Sequence, residues 1–231
     1  MEDILTSNVF GVLKYLPPGS AMVPFLSKVK SPEGEQPLVD LPTDVKAEYE
    51  FWPWLEELDC NGCEPDVLIR ITCPDGKKIL ALIEAKYHSS KSSDEGEEER
   101  LSDQLAREWD NLKRLAVRES AEPVLIYLTP DVGCPVADIR ASQEELVNKR
   151  GEQARICWLS WRHLASLIAD SSHEMLRDLV TVLRRLNLTL FEGFSRIEPH
   201  AGIQWTFSGK PVRFEWKCLQ IDEPLKMEFR R

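Results

Sequence analysis

What this chain lacks most visibly is positive charge. Its 231 residues carry 29 Lys and Arg against 39 Asp and Glu, a net charge of −10. A protein that grips nucleic acid over its whole surface carries the opposite sign, so that class is excluded, while a local basic groove or a carboxylate-rich metal site is not. No apolar run approaches the roughly 20 residues that span a bilayer. The start, Met1-Glu2-Asp3-Ile4-Leu5, has no basic stretch followed by an apolar one, so no signal peptide is expected. The expected protein is soluble and cytoplasmic, with no membrane partner. There is no Gly-rich phosphate loop, no internal repeat and no helix-turn-helix or zinc-finger spacing, which removes P-loop chemistry and the common base-reading modules. Cysteine is sparse: six residues, with one CxxC at Cys60 and Cys63 and neither a second CxxC nor an HxxxH downstream. Without the other half of a zinc site these read as reduced thiols. A regulatory metal module built on Cys60 and Cys63 is an alternative that zinc content would test.

What is present is enough for a sizeable core: 42% hydrophobic residues and seven Trp. Apolar positions at Ile4, Leu5, Val9, Phe10, Val12, Leu13 and Leu16 have helical spacing over 3–16, ended by Pro17-Pro18-Gly19. Residues 47–54 are aromatic and extended, with Pro53 limiting the strand. The clearest strands are 66–72 and 78–87. The Ser-rich, then acidic, 88–100 stretch reads as an exposed loop. Leu101, Leu105, Trp109, Leu112, Leu115 and Ala116 predict a helix over 101–117, and 123–129 is a continuous apolar strand of the parallel-sheet type. A helix around Glu144-Glu145-Leu146 follows, then a strand at 155–160 and helices at 161–169 and 173–187. From Leu188 the tail alternates aromatic and polar residues, including Phe207, Phe214 and Trp216, as antiparallel strands do.

Two fragments in this frame carry chemistry: Glu64-Pro65-Asp66 and Glu84-Ala85-Lys86. Pro74-Asp75-Gly76 joins their strands with turn chemistry. A three-residue loop closed by Gly76 in the left-handed position makes Cys73 and Lys77 the flanking pair. Asp66 then falls opposite Glu84 and Glu64 opposite Lys86, so Asp66, Glu84 and Lys86 share one face. A two-residue loop would shift the register by one and send Asp66 to the other face. The second Pro-Asp is a turn: at ~3.3 Å per residue, Asp75 lies roughly 30 Å along the strand from Glu84. Carboxylate oxygens, with the Ala85 carbonyl as a further ligand, suit Mg²⁺ or Mn²⁺. Such a metal makes a bound water easier to deprotonate, and Lys86 beside it would orient the nucleophile or stabilise the transition-state charge. Phosphodiester hydrolysis is the chemistry these residue types fit.

The pattern Pro65-Asp66 … Glu84-Ala85-Lys86, preceded by a fully apolar strand, resembles the PD-(D/E)xK nuclease superfamily of restriction, recombination and repair nucleases. The resemblance covers about the first 160 residues. It implies an α/β fold with a restriction-endonuclease-like core (αβββαβ, a mixed central sheet flanked by helices) over 1–160; the helices and alternating strands read beyond it form a C-terminal helical and β extension over 161–231, packed on the core. It implies Asp66 and Glu84 as metal ligands and Lys86 as the catalytic lysine, with Mg²⁺ as cofactor and DNA as substrate. Many members add an acidic residue from the first helix, here Glu2 or Asp3, with Glu2 preferred. A subset has a Gln and, four residues on, a Tyr after the lysine strand. Gln104 fits this pattern as a catalytic residue at the site's edge, but Glu108 stands at the Tyr position. Lys91, Arg107, Lys113, Arg114 and Arg118 are the candidates for phosphate contact. The expected function is metal-dependent cleavage of DNA, in the bacterial defence, restriction or repair settings common to the family. The acidic charge points to local binding or to support from a homodimer or partner subunit. The alternative is a catalytically degenerate subunit that binds nucleic acid or assembles a complex.

Overall fold

The structure, a computed structural model, describes residues 2–57, 60–87 and 100–190. The expectations for Lys91, for the 88–99 loop and for tail strands beyond 190 fall outside these residues. Five strands form one open mixed sheet in the order β1-β2-β3-β4-β5: β1 Lys46–Phe51, β2 Val67–Thr72, β3 Lys78–Ala85, β4 Glu122–Thr129 and β5 Ile156–Ser160. The first three meander antiparallel, and β3, β4 and β5 run parallel. Parallel neighbours need long crossovers, supplied by α3 (Gln104–Glu119) and α4 (Val136–Arg150). The remaining helices are α1 (Glu2–Lys14), α2 (Met22–Leu26), α5 (Arg162–Ile168) and α6 (Glu174–Arg185). The protein is α/β with helices on both faces of its sheet. Among the described residues no helix is long and apolar enough to cross a membrane.

The two faces separate by the two-residue period of the strands. Val67, Ile69, Ile71, Ala81, Ile83, Ile126 and Leu159 face one core, which they share with Leu5, Val9, Phe10 and Leu13 of α1 and with α2, α5 and α6. Leu68, Leu80, Leu82, Leu125, Tyr127 and Trp158 face the other, against Leu105, Trp109, Leu112 and Ala116 of α3 and against Ile139 and Leu146 of α4. β3 is buried from Ile79 to Ala85, as a strand covered on both sides must be. Helices α5 and α6, expected as part of the extension, therefore contribute to the same core as α1. The free edge of β5 is shielded by a two-way backbone pairing of Lys30 with Trp158, at 2.9 and 2.7 Å.

The β2–β3 turn has the three-residue form. Cys73 N–H donates to the Lys77 carbonyl at 2.8 Å, Gly76 N–H donates to the Cys73 carbonyl at 2.9 Å, and Gly76 has φ +86°. The pairs run from Thr72 opposite Lys78 to Val67 opposite Ile83, the register that aligns Asp66 with Glu84. Some boundaries differ from expectation for local reasons. β1 stops at Phe51 rather than 54 because Trp52 turns to φ +48° and Pro53 has no N–H to continue the ladder. α3 begins at Gln104 rather than 101 because the Asp103 side chain accepts the Ala106 N–H at 3.1 Å and caps the helix there. β3 ends at Ala85, which leaves Lys86 just past the last strand residue.

Candidate active site

The site gathers at the C-terminal end of β3, where α1, the start of β2 and the start of α3 meet. Asp66 immediately precedes β2 and is 8% exposed. Its Oδ2 accepts the Ala85 N–H at 2.8 Å, which fixes the carboxylate to the end of the neighbouring strand. Glu84, 2% exposed, continues the face of Leu80 and Leu82. Lys86, two residues on, returns to that face, and its Nζ donates to Glu84 Oε1 at 2.5 Å. The Lys86 backbone is held from two directions. Its N–H donates to the Leu128 carbonyl of β4 at 2.8 Å, and its carbonyl accepts the Nε1–H of the buried Trp161 at 3.0 Å.

Glu2 opens α1 and reaches the same place. Its Oε2 accepts the Tyr87 N–H at 2.6 Å, and its Oε1 lies 3.6 Å from Lys86 Nζ. Asp3 is exposed, so the choice between the two acids falls on Glu2. From α3, Gln104 Nε2 donates to Glu84 Oε1 at 2.6 Å. One turn later on that helix face stands Glu108, 1% exposed. Its carboxyl is hydrogen-bonded with Glu84 and Gln104, and its Oε2 has no hydrogen-bond partner. The approach to α3 is fixed by Glu145 of α4, whose carboxylate accepts Ser102 N–H at 2.8 Å and Asp103 N–H at 2.9 Å.

Electrostatically the site is a nest of carboxyls around one ammonium. Burial, then the Glu84 charge, pushes Asp66 from its ordinary 3.8 up to about 7. Burial also raises Glu84, against the pull of Lys86. Burial and the neighbouring Glu84 charge put Glu108 well above its ordinary 4.5. Burial works against the Lys86 charge, but Glu84, Glu2 and Asp66 outweigh it and raise the pKa. Glu145 is the contrasting case. Burial would raise it, but the hydrogen bonds from Ser102, Lys149 and Asp103 bring it down to about 2.

Asp66, Glu84, Lys86, Gln104 and Glu2, the residues singled out in the sequence, thus converge, and Ala85 lies between two of them with its backbone in the middle of the cluster. Among the described residues no set of three or more His, Cys, Asp or Glu side chains is arranged to hold a metal ion. Two carboxylates and a main-chain carbonyl are hard oxygen donors of the kind that Mg²⁺ takes while keeping several waters. These donor types suit the ion, and the crowding of buried acids, with Glu108 Oε2 unpartnered, is the environment a divalent cation would relieve. Cys60 and Cys63 are free thiols whose pKa values burial raises. The helix cations have protein partners: Lys113 pairs with Glu152, Arg114 with Asp110 and Arg118 with Glu57, while Arg107 donates to the Ser102 carbonyl. Two contributors have no assigned role in the sequence reading. Glu108 stands there only as a departure at the Tyr position four residues after Gln104. Trp161, 75 residues from Lys86, gave no local signal. Compared with family models, with curated proteins and with solved structures, the chain matches none.

Proposed function

We propose that this protein is a divalent-metal-dependent nuclease that hydrolyses phosphodiester bonds of DNA, built on the PD-(D/E)xK plan. The observation that carries the reading is the buried Lys86–Glu84 pair at 2.5 Å beside an Asp66 bonded to the same strand end. Three charged groups from two strands, desolvated together at a sheet terminus, are more than solubility or a surface ion pair requires. Asp66, Glu84 and the Ala85 carbonyl would hold Mg²⁺ or Mn²⁺, with Glu2 at the edge. The ion would supply a more acidic water and charge neutralisation at the phosphate. Gln104 and Glu108 orient the Glu84 carboxylate. Lys86 holds the attacking water in line, or donates to the phosphate oxygen on which negative charge builds.

The test is incubation with plasmid and with single-stranded DNA in Mg²⁺, Mn²⁺ or EDTA, beside Lys86→Ala. Cleavage should require the cation and fall at least about 100-fold in the variant. Cleavage indifferent to EDTA or to Lys86→Ala would overturn the mechanism. No cleavage together with no metal uptake would favour a degenerate, nucleic-acid-binding or assembly subunit.

A further inference from the structure

We infer that Trp52, Phe51, Tyr15 and Lys14 form a stacking platform for unpaired nucleobases of the DNA strand being cut. The inference rests on the nuclease reading above and adds a substrate class: single-stranded, frayed or flap-like DNA rather than intact duplex.

The platform begins one hydrogen bond from the site, where Trp52 N–H donates to the backbone carbonyl of Asp66 at 2.9 Å. Trp52 has φ +48°, an outlier for a bulky side chain, and it precedes Pro53, where extended backbone is the norm. Trp52 continues the alternation of β1 past its last strand residue, on the outward side, and is 39% exposed. Strain retained beside a functional group is a pointer to use. The Trp52 ring lies 5.7 Å from that of Phe51. Lys14 Nζ sits 5.8 Å from the Phe51 centroid and 6.0 Å from that of Tyr15, and Tyr15 is 76% exposed. The strip therefore holds three aromatic rings with one ammonium between Phe51 and Tyr15, a composition that holds single strands by stacking and backbone attraction.

Charge makes the same demand. On a chain of net −10, Lys113, Arg114 and Arg118 of α3 are paired to internal acids, so these three are already engaged and a charge-independent contact gains weight. Stacking is sequence-tolerant and needs no basic surface. Bases in a duplex are already stacked on each other, so only an unpaired strand can use the platform.

The experiment measures binding by fluorescence anisotropy in the Lys86→Ala background with Mg²⁺. The probes are a labelled single-stranded oligodeoxynucleotide, the same strand with a run of abasic sites, and its duplex. Trp52→Gly suits the positive φ and removes the indole, so it keeps the fold; Tyr15→Ala changes an exposed side chain. The base-bearing strand should bind at least about tenfold tighter than the abasic strand or the duplex. Trp52→Gly with Tyr15→Ala should bring that ratio close to one while leaving abasic affinity unchanged, and Trp52→Phe should keep the preference. A ratio unchanged in the double variant, or equal loss on both strands, overturns the platform and leaves the nuclease reading standing. A parent protein that neither binds nor cleaves any of these strands removes the nuclease reading, and the platform with it.

Discussion

Asp66 concentrates the energetic tension of the site in one side chain. It surrenders solvent, faces the Glu84 charge and receives one backbone N–H in return, and the balance leaves its carboxyl near 7. Its folded value lies above its unfolded value of 3.8, so between about pH 4 and 7 the folded state holds a proton that the unfolded state has lost. Stability from this residue therefore falls as pH rises through that window, by up to roughly 4 kcal/mol for a shift of this size. Asp66→Asn removes the titration and keeps most of the shape. In metal-free buffer its melting temperature, relative to the parent, should rise between pH 5 and pH 8, measured by calorimetry. A constant difference across that range would mean that Asp66 titrates normally. Glu108 belongs at this scale too. Its place one turn after Gln104 is legible in the sequence, but its coupling to Glu84 depends on how deeply α3 sits against β3, which helical spacing does not contain.

At the scale of elements, the site is a strand end held by its neighbours. β3 delivers Glu84 and Lys86, β4 holds the Lys86 N–H and Trp161 holds its carbonyl. The register that brings Asp66 to this end was readable because Pro74-Asp75-Gly76 has one turn geometry that uses each residue. The β3 apolar run was readable because a strand covered on both faces has no polar positions to spare. The Trp161 tie was not readable, because it joins segments whose proximity is set only by sheet order. The positive φ of Trp52 was not either, since propensity argues against it. Trp161→Phe keeps an aromatic ring but leaves the Lys86 carbonyl unpaired in the core, at a cost of about 1–3 kcal/mol, with a further loss from the cavity the smaller ring leaves. Urea unfolding should report that loss. If the tie positions Lys86, single-turnover DNA cleavage should slow as well, while DNA affinity holds. An unchanged cleavage rate in a destabilised protein would make Trp161 a packing residue only.

For the whole molecule, the acid-rich balance and the layered architecture lead to one expectation about ions. Among the described residues both cores form without the site: helices cover the sheet's faces, and the carboxyl cluster gathers at the end of β3. A cation binding there adds stability by mass action rather than by completing a core. At 100 times its dissociation constant the gain is about 2.7 kcal/mol, which for a chain of this size raises the melting temperature by roughly 5–10 °C. The cation competes with the proton on Asp66, so the gain should be larger at pH 8 than at pH 6. It should vanish in Asp66→Asn combined with Glu84→Gln, and it should be reversed by EDTA. A thermal-shift series with Mg²⁺, Mn²⁺ and Ca²⁺ at the two pH values separates this from general screening of a −10 chain. Screening would follow ionic strength, would be matched by NaCl, and would be indifferent to the double substitution.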